Sequence, residues 1–233
     1  MLPLIRLHKV DSTQSYLDRH PELGCCIVMA ESQTAGRGRG GRAWESASGA
    51  GLWLSARLPM PNIHPGRLLQ SAMAAVIGVL TPCGVPLGIK WPNDLVAWSR
   101  KGADTALVKL GGIIGEQRAD LAVLGLGINI FGAPEIPQRP IPPASLSSLG
   151  ALAIPEMHGL AEKILVAWQR LGVSGTESDC NNVSFWWPAP GDWIRWEEGK
   201  GVCQGWEPDG RLAVFGESGL VLLASGDVCG LGQ

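Results

Sequence analysis

Tyrosine is nearly absent from this chain, one residue in 233 against ten tryptophans. Paired cysteines are missing too. Cys25, Cys26, Cys83, Cys180, Cys203 and Cys229 form no C-x-x-C pair and share no metal-ligand spacing with the four histidines. A zinc module or a disulfide scaffold is therefore not expected, and six free thiols predict a reducing, cytoplasmic setting. Charge of one sign is lacking. The formal net charge is -2, which gives no global attraction to nucleic acid or anionic lipid, so any anion has to be handled locally. No basic-then-apolar leader opens the sequence, because Asp11 and polar residues arrive too early. Leu68 to Ile89 carries no charge, but Pro82, Gly84 and Pro86 interrupt it. The helical part left is too short for a hydrocarbon core of roughly 30 Å, so no membrane span is expected. A Walker A loop and an internal repeat are also absent.

What remains is a chain that can fold around a substantial core, with 45% hydrophobic and 17% charged residues. Its length suits one large domain, or a medium one with a small companion. Ser12 and Thr13 predict the cap of a short helix ending near Arg19. Cys25–Glu31 and Gly51–Leu58 read as strands. Pro65 predicts a helix start, followed by Leu68, Leu69, Ala72, Met73, Val76, Val79 and Leu80 on one face. Three strands are expected at Leu87–Trp91, Leu107–Gly115 and Leu121–Ile130, with a long loop over 95–108. A proline-rich loop spans Ala133 to Pro143. A second amphipathic helix follows Pro155. Gly172 to Pro190 reads as a linker, and only short strands follow, two of them joined by the turn signal Glu207-Pro208-Asp209-Gly210.

Four segments carry chemistry. In Gln33-Thr34-Ala35-Gly36-Arg37-Gly38-Arg39-Gly40-Gly41-Arg42-Ala43-Trp44, glycines allow backbone N–H groups close to an anion, and three arginines add planar charged donors. By composition alone the same loop reads as a solvated basic loop or a nucleic-acid patch. In Lys90-Trp91-Pro92-Asn93-Asp94, Pro92 keeps Trp91 out of helical geometry, so Asn93 and Asp94 project from a strand end; a plain turn is the simpler reading. In Lys109-Leu110-Gly111-Gly112-Ile113, a lysine set in an apolar strand asks for an anionic partner, unless it lies at a sheet edge. Gly125-Leu126-Gly127-Ile128-Asn129 is weak alone.

In this order the four segments resemble the biotin protein ligase family, with its arginine loop ending in tryptophan, K-W-P-N-D, K-x-x-G-I and G-x-N. The likeness is strong over about residues 10 to 130. It implies an α+β fold: a mixed β-sheet with flanking helices of the class II synthetase-like kind over 1–185, then a small SH3-like β-barrel over 186–233. It also implies a ligase that makes biotinyl-adenylate from biotin and ATP, with Mg2+, and passes biotin to a lysine of a biotin carboxyl carrier protein.

Residue by residue, the resemblance implies Arg37, Arg39, Lys109 and Asp94 as the catalytic set. It gives Ser12, Thr13, Gln33, Gly36 and Gly112, with Arg37, Arg39 and Lys109, as biotin contacts. Arg42, Trp44, Asn93 and Asn129, with Arg39 and Lys109, are its nucleotide contacts, and Asp94 is the candidate metal ligand. Two departures stand out. Gly40 stands where some members have arginine, and the stretch from Asp94 to Lys109 is long. Lys101 lies nearer the usual spacing, but only Lys109 has the K-L-G-G-I context. The helix-turn-helix domain of many bacterial members is not seen ahead of Ser12, so no DNA partner is expected; a homodimer stays open.

Overall fold

The computed structural model describes residues 2–101, 104–137, 139–154, 156–171 and 182–230. The first strand, β1 (Leu4–Val10), runs into helix α1 (Thr13–Arg19). Ser12 caps that helix by accepting from the Ser15 amide at 3.4 Å. Next come β2 (Cys26–Arg37), β3 (Ala43–Ser46), β4 (Gly51–Pro59) and α2 (Leu68–Leu80). The strands β5 (Leu87–Lys90), β6 (Asp94–Lys101), β7 (Asp104–Arg118) and β8 (Leu121–Asn129) precede α3 (Met157–Gln169) and β9 (Phe185–Trp187). All nine strands form one mixed sheet, ordered β1-β2-β4-β8-β7-β6-β5-β9, with β3 paired to β2. The architecture is α+β, with few helices on a large sheet.

Strand alternation sorts the core onto two faces. On β2, Ile27 joins the cluster under α2 and α3, whereas Cys26 and Val28 pack with Leu17 of α1 on the other side. The apolar stripe of α2 (Leu68, Ala72, Met73, Val76, Leu80) and that of α3 (Leu160, Ala161, Ile164, Leu165, Trp168) are buried together. Trp168 closes this core with its N–H satisfied: its Nε1 donates to the Ala72 carbonyl at 2.9 Å.

The chain ends in a five-stranded antiparallel sheet built from β10 (Trp193–Trp196), β11 (Gly199–Trp206), β12 (Leu212–Gly216), β13 (Gly219–Leu223) and β14 (Cys229–Gly230). Its order is β13-β12-β11-β10-β14. The apolar side chains of this small sheet, Ile194, Leu212, Val214 and Val228, share a cluster with Trp91, Leu107 and Trp187 of the large one. The 207–210 turn locks the two together. Trp91 Nε1 and Gln70 Nε2 both donate to the Gly210 carbonyl, at 3.1 and 2.7 Å. Gly210 has φ +89°, and a Cβ there would lie 2.1 Å from the Gly66 carbonyl oxygen, so glycine is required on both counts.

Several expectations are corrected. Residues 95–101 and 104–108, expected as a loop, belong to the antiparallel strand pair β6 and β7. Leu95 and Ala97 face one cluster while Val96 faces the other, so the first half of β6 is buried on both sides and shows no polar alternation to read. Pro65 opens a 3-10 turn, Pro65–Arg67, and α2 starts at Leu68. Pro155 and residues 172–181 of the expected linker, Cys180 included, lie outside the described residues. Phe185–Trp187, also within that linker, pairs parallel with β5. Cys25, Cys26, Cys83, Cys203 and Cys229 are free thiols. No helix among the described residues is long and apolar enough to cross a membrane.

Candidate active site

One cavity of about 580 Å³ opens between the large sheet, the arginine loop, the proline-rich loop and the start of β14. Of the residues singled out from the sequence, Ser12, Thr13, Gln33, Arg37, Arg39, Arg42, Trp44, Asn93, Asp94, Lys109, Gly112 and Asn129 line it. Gly36 does not. Its part is structural: a Cβ there would sit 2.4 Å from the Trp44 carbonyl oxygen, so glycine lets β3 close onto β2.

A fixed polar network forms one end. Gln33 Oε1 accepts from the Thr13 amide at 2.8 Å and from its hydroxyl at 3.1 Å. Gln33 Nε2 donates to Ser46 Oγ at 2.7 Å, and Thr13 Oγ1 lies 2.8 Å from Ser55 Oγ. The N-terminus of α1 and the middle of β2 hold these groups, so they are oriented before any ligand arrives.

At the centre, Lys109 on β7 donates to Asp94 Oδ1 on β6 at 2.6 Å. Asn93 fixes the strand end beside them: its Nδ2 donates to the Ile113 carbonyl at 2.6 Å, and its carbonyl accepts from the Ile113 amide at 3.0 Å. Gly112 stands next to this pair, where a Cβ would come 3.3 Å from Asp94 Oδ1. Trp44 lies on Gly127, whose missing Cβ would fall 2.5 Å from Trp44 Nε1. The second glycine of the G-x-G-x-N segment therefore seats the indole. Lys109 Nζ is 5.6 Å from that ring, within reach of a cation–π contact.

The arginines are spoken for. Arg37 faces Asp18 at 3.6 Å and Glu116 at 3.9 Å. Arg39 and Arg42 grip the two oxygens of Asp227, each at 2.5 Å, and Arg39 also donates to the Gly226 carbonyl at 2.7 Å. Burial acts to raise the Asp227 pKa, but the Arg42 hydrogen bond and the charges of Arg39, Arg42 and Lys90 outweigh it and hold the carboxyl below its ordinary range.

Three buried polar atoms of cavity-lining residues have no partner among the described residues: Gln14 Oε1, Trp44 Nε1 and Asn129 Oδ1. Buried polar groups are nearly always satisfied, so such orphans mark places where a ligand completes the bonding. Asn129 is oriented for this, since its Nδ2 donates to the Ala144 carbonyl at 3.2 Å. Sequence reasoning missed Gln14, Ser55, Lys90, Arg139, Asp227 and Cys229, all of which line the cavity. Lys90 stood inside a quoted motif; Asp227 and Cys229 lie far away in sequence and left no local signal. Among the described residues no cluster of three or more His, Cys, Asp or Glu could hold a metal.

The model of the biotin/lipoate A/B protein ligase family matches residues 8–129. Over 146 residues the chain is 36% identical to the biotin–[acetyl-CoA-carboxylase] ligase of Mycobacterium tuberculosis, covering 60% of this chain and 51% of that protein. Over 131 residues it is 42% identical to the bifunctional ligase/repressor BirA of Escherichia coli, covering 52% of this chain and 38% of that one. The matched stretch thus spans about half or less of these relatives. In fold, the chain is similar to the biotin protein ligase of Aquifex aeolicus solved with biotin and ATP, with a TM-score of 0.74 at 21% identity, over 99% of this chain and 100% of that one.

Proposed function

This chain belongs to the biotin/lipoate A/B protein ligase family, and on that footing we propose that it activates biotin with ATP and transfers it to a lysine of a biotin carboxyl carrier protein. The observation that carries the reading is the order of groups in one cavity: a neutral hydrogen-bonding end, a lysine–carboxylate centre, and an arginine-lined end. A ureido ring suits the first, because it presents both N–H and C=O to Ser12, Thr13 and Gln33. A carboxylate meeting a phosphate needs the second and third, because two anions repel until fixed positive charge offsets them.

In the first step the biotin carboxylate oxygen attacks the α-phosphorus of ATP. The bond to the α,β-bridging oxygen breaks and pyrophosphate leaves with the electron pair. Lys109, Arg37 and Arg39 offset the charge gathered at the reacting phosphoryl group. Trp44 offers its face to adenine, with Arg42, Asn93 and Asn129 completing the nucleotide contacts. In the second step the neutral acceptor amine attacks the acyl carbon, the bond from that carbon to the phosphate oxygen breaks, AMP leaves with the electron pair, and Asp94 stands by to take the proton the nitrogen sheds. Gly112 keeps the wall beside Lys109 open to the ligand.

Mg2+ suits the site as a passenger on the nucleotide. It keeps several waters and needs one or two carboxylates besides phosphate oxygens, and Asp94 is the residue that would hold it, where it would neutralise phosphate charge. The small sheet, read as an SH3-like barrel, contributes Asp227 to the arginine loop. The test is direct: incubated with biotin, ATP and a biotin carboxyl carrier domain, the chain should add one biotinyl group to the acceptor lysine, and an unmodified acceptor would count against the proposal. The family model also spans lipoate ligases, so lipoate and octanoate are the substrates to run beside biotin.

A further inference from the structure

Lys90 ends β5 inside the wall of the cavity, and the residue is only 6% exposed. Among the described residues no carboxylate lies within ion-pair distance of its ammonium. The contacts are a long hydrogen bond to the Trp91 carbonyl at 3.4 Å and the ring of Trp187 at 5.6 Å. Burial pushes its pKa down, while the acidic neighbours Asp94 and Asp227 act in the other direction. Most other cations of the cavity have a carboxylate partner: Lys109 pairs with Asp94, Arg39 and Arg42 share Asp227, and Arg37 faces Asp18 and Glu116. Arg139 has no ion pair among the described residues, but it is exposed on the proline-rich loop, where water solvates it.

A buried ammonium without a counter-ion is costly. A surface position or an apolar residue would serve the fold better, because β5 and β9 pack Ile89, Trp91 and Trp187 around this strand end. The position makes sense if the counter-ion comes with a substrate. Register fixes where that anion would lie: Lys90 pairs with Asp94 across β5 and β6 and with Trp187 across β9. Lys90 therefore stands beside the Lys109–Asp94 centre and towards the small sheet that carries Asp227. The Thr13–Gln33 network belongs to α1 and β2, at the other end of the strand order.

We propose that Lys90 is a further catalytic residue, which takes the charge of the departing pyrophosphate during adenylate formation. This rests on the biotin-activation reading and assigns Lys90 to the leaving group, where Lys109 serves the reacting phosphoryl group. As the bond between the α-phosphorus and the bridging oxygen breaks, negative charge gathers on that oxygen and on the β-phosphate. Lys90 offsets it without giving up a proton, and pyrophosphate carries away the electron pair. Once pyrophosphate has gone, Lys90 has no further part, so transfer to the acceptor lysine does not depend on it.

The experiment separates the two half-reactions in Lys90→Met, which keeps the length and apolar stem and removes the charge. Adenylation is read as biotin-dependent exchange of labelled pyrophosphate into ATP. Transfer is read with synthetic biotinyl-adenylate and a carrier domain. The expected result is an exchange rate lowered about 10²-fold, a pyrophosphate inhibition constant raised at least tenfold, and transfer within about twofold of wild type. Equal exchange in variant and wild type, or parallel loss of both half-reactions, overturns the assignment. If Lys90→Met does not fold, Lys90→Gln carries the same measurements; failure of both to fold makes Lys90 structural and also overturns it. A wild-type chain without biotin-dependent exchange would fail the reading beneath, a result distinct from any of these.

Discussion

Arg39 and Asp227, 188 positions apart in sequence, meet at the cavity wall with Nη2 2.5 Å from Oδ1. Arg42 takes the other oxygen of the same carboxylate. Four glycines and three arginines in residues 36–42 predict a loop that stays open until an anion arrives. The structure shows an anion already supplied from within the chain: Asp227 pairs with two of the three arginines and ties the loop to the small sheet. A ligand carboxylate or phosphate therefore competes with, or adds to, an existing grip.

Arg39→Gly removes that grip together with one ligand contact. The variant should still form adenylate, more slowly because one charge donor is gone, but hold it poorly, because a loop of this kind shields the mixed anhydride only while it is closed. Labelling of lysines on bystander proteins should exceed wild type at equal adenylate production. Amide exchange within 36–42 should also slow in the wild type when biotin is added. Equal bystander labelling would give Arg39 a role in chemistry or structure and not in retention.

Lys109→Ala should lower adenylate formation by about 10²- to 10³-fold, the usual cost of one preorganised charge donor. Lys101→Ala should leave it largely intact. Lys109 lies in the cavity 2.6 Å from Asp94, whereas Lys101 ends β6 opposite Asp104. Pyrophosphate exchange compares the two; a normal rate in the Lys109 variant would remove it from the catalytic set.

Asp11 ties the start of α1 to its last turn through two hydrogen bonds from Arg19, each 2.7 Å. These bonds, more than any other cause, hold its carboxyl at about 2 against an ordinary 3.8. A depressed folded-state value means stabilisation that is whole above 3.8 and lost as pH falls through about 2. The pair is solvent-exposed, so the effect is small. Asp11→Asn should lower Tm by about 1–2 °C near pH 7, and the difference from wild type should vanish towards pH 2. A gap that persists or grows at low pH would contradict the assignment.

The net charge of -2 predicts no sequence-specific DNA binding by this chain. Duplex DNA should bind weakly and dissociate as salt rises. A titration by fluorescence anisotropy at physiological salt checks it; tight, sequence-dependent binding there would be the contrary result.

Legibility in the sequence followed locality. Ser12, Thr13 and the stripes of α2 and α3 could be read because caps and helical spacing are written in neighbouring residues. The four motif segments could be read for the same reason, each being a short run whose backbone and side chains act together. β6 could not, since its first half is buried on both faces and has no alternation to detect. Asp227 and Cys229 could not either, because only the docking of the small sheet brings them to Arg39 and Lys90. Lys90 was visible in its motif, but only its burial and its lack of a counter-ion single it out from a solvated lysine.

The central claim, activation of biotin as an adenylate, is tested most directly by exchange of labelled pyrophosphate into ATP with biotin, lipoate or octanoate as the acid. Exchange that depends on biotin, with lipoate and octanoate at background, is the predicted result. Exchange driven by lipoate or octanoate and not by biotin, or no exchange with any of the three, would contradict it.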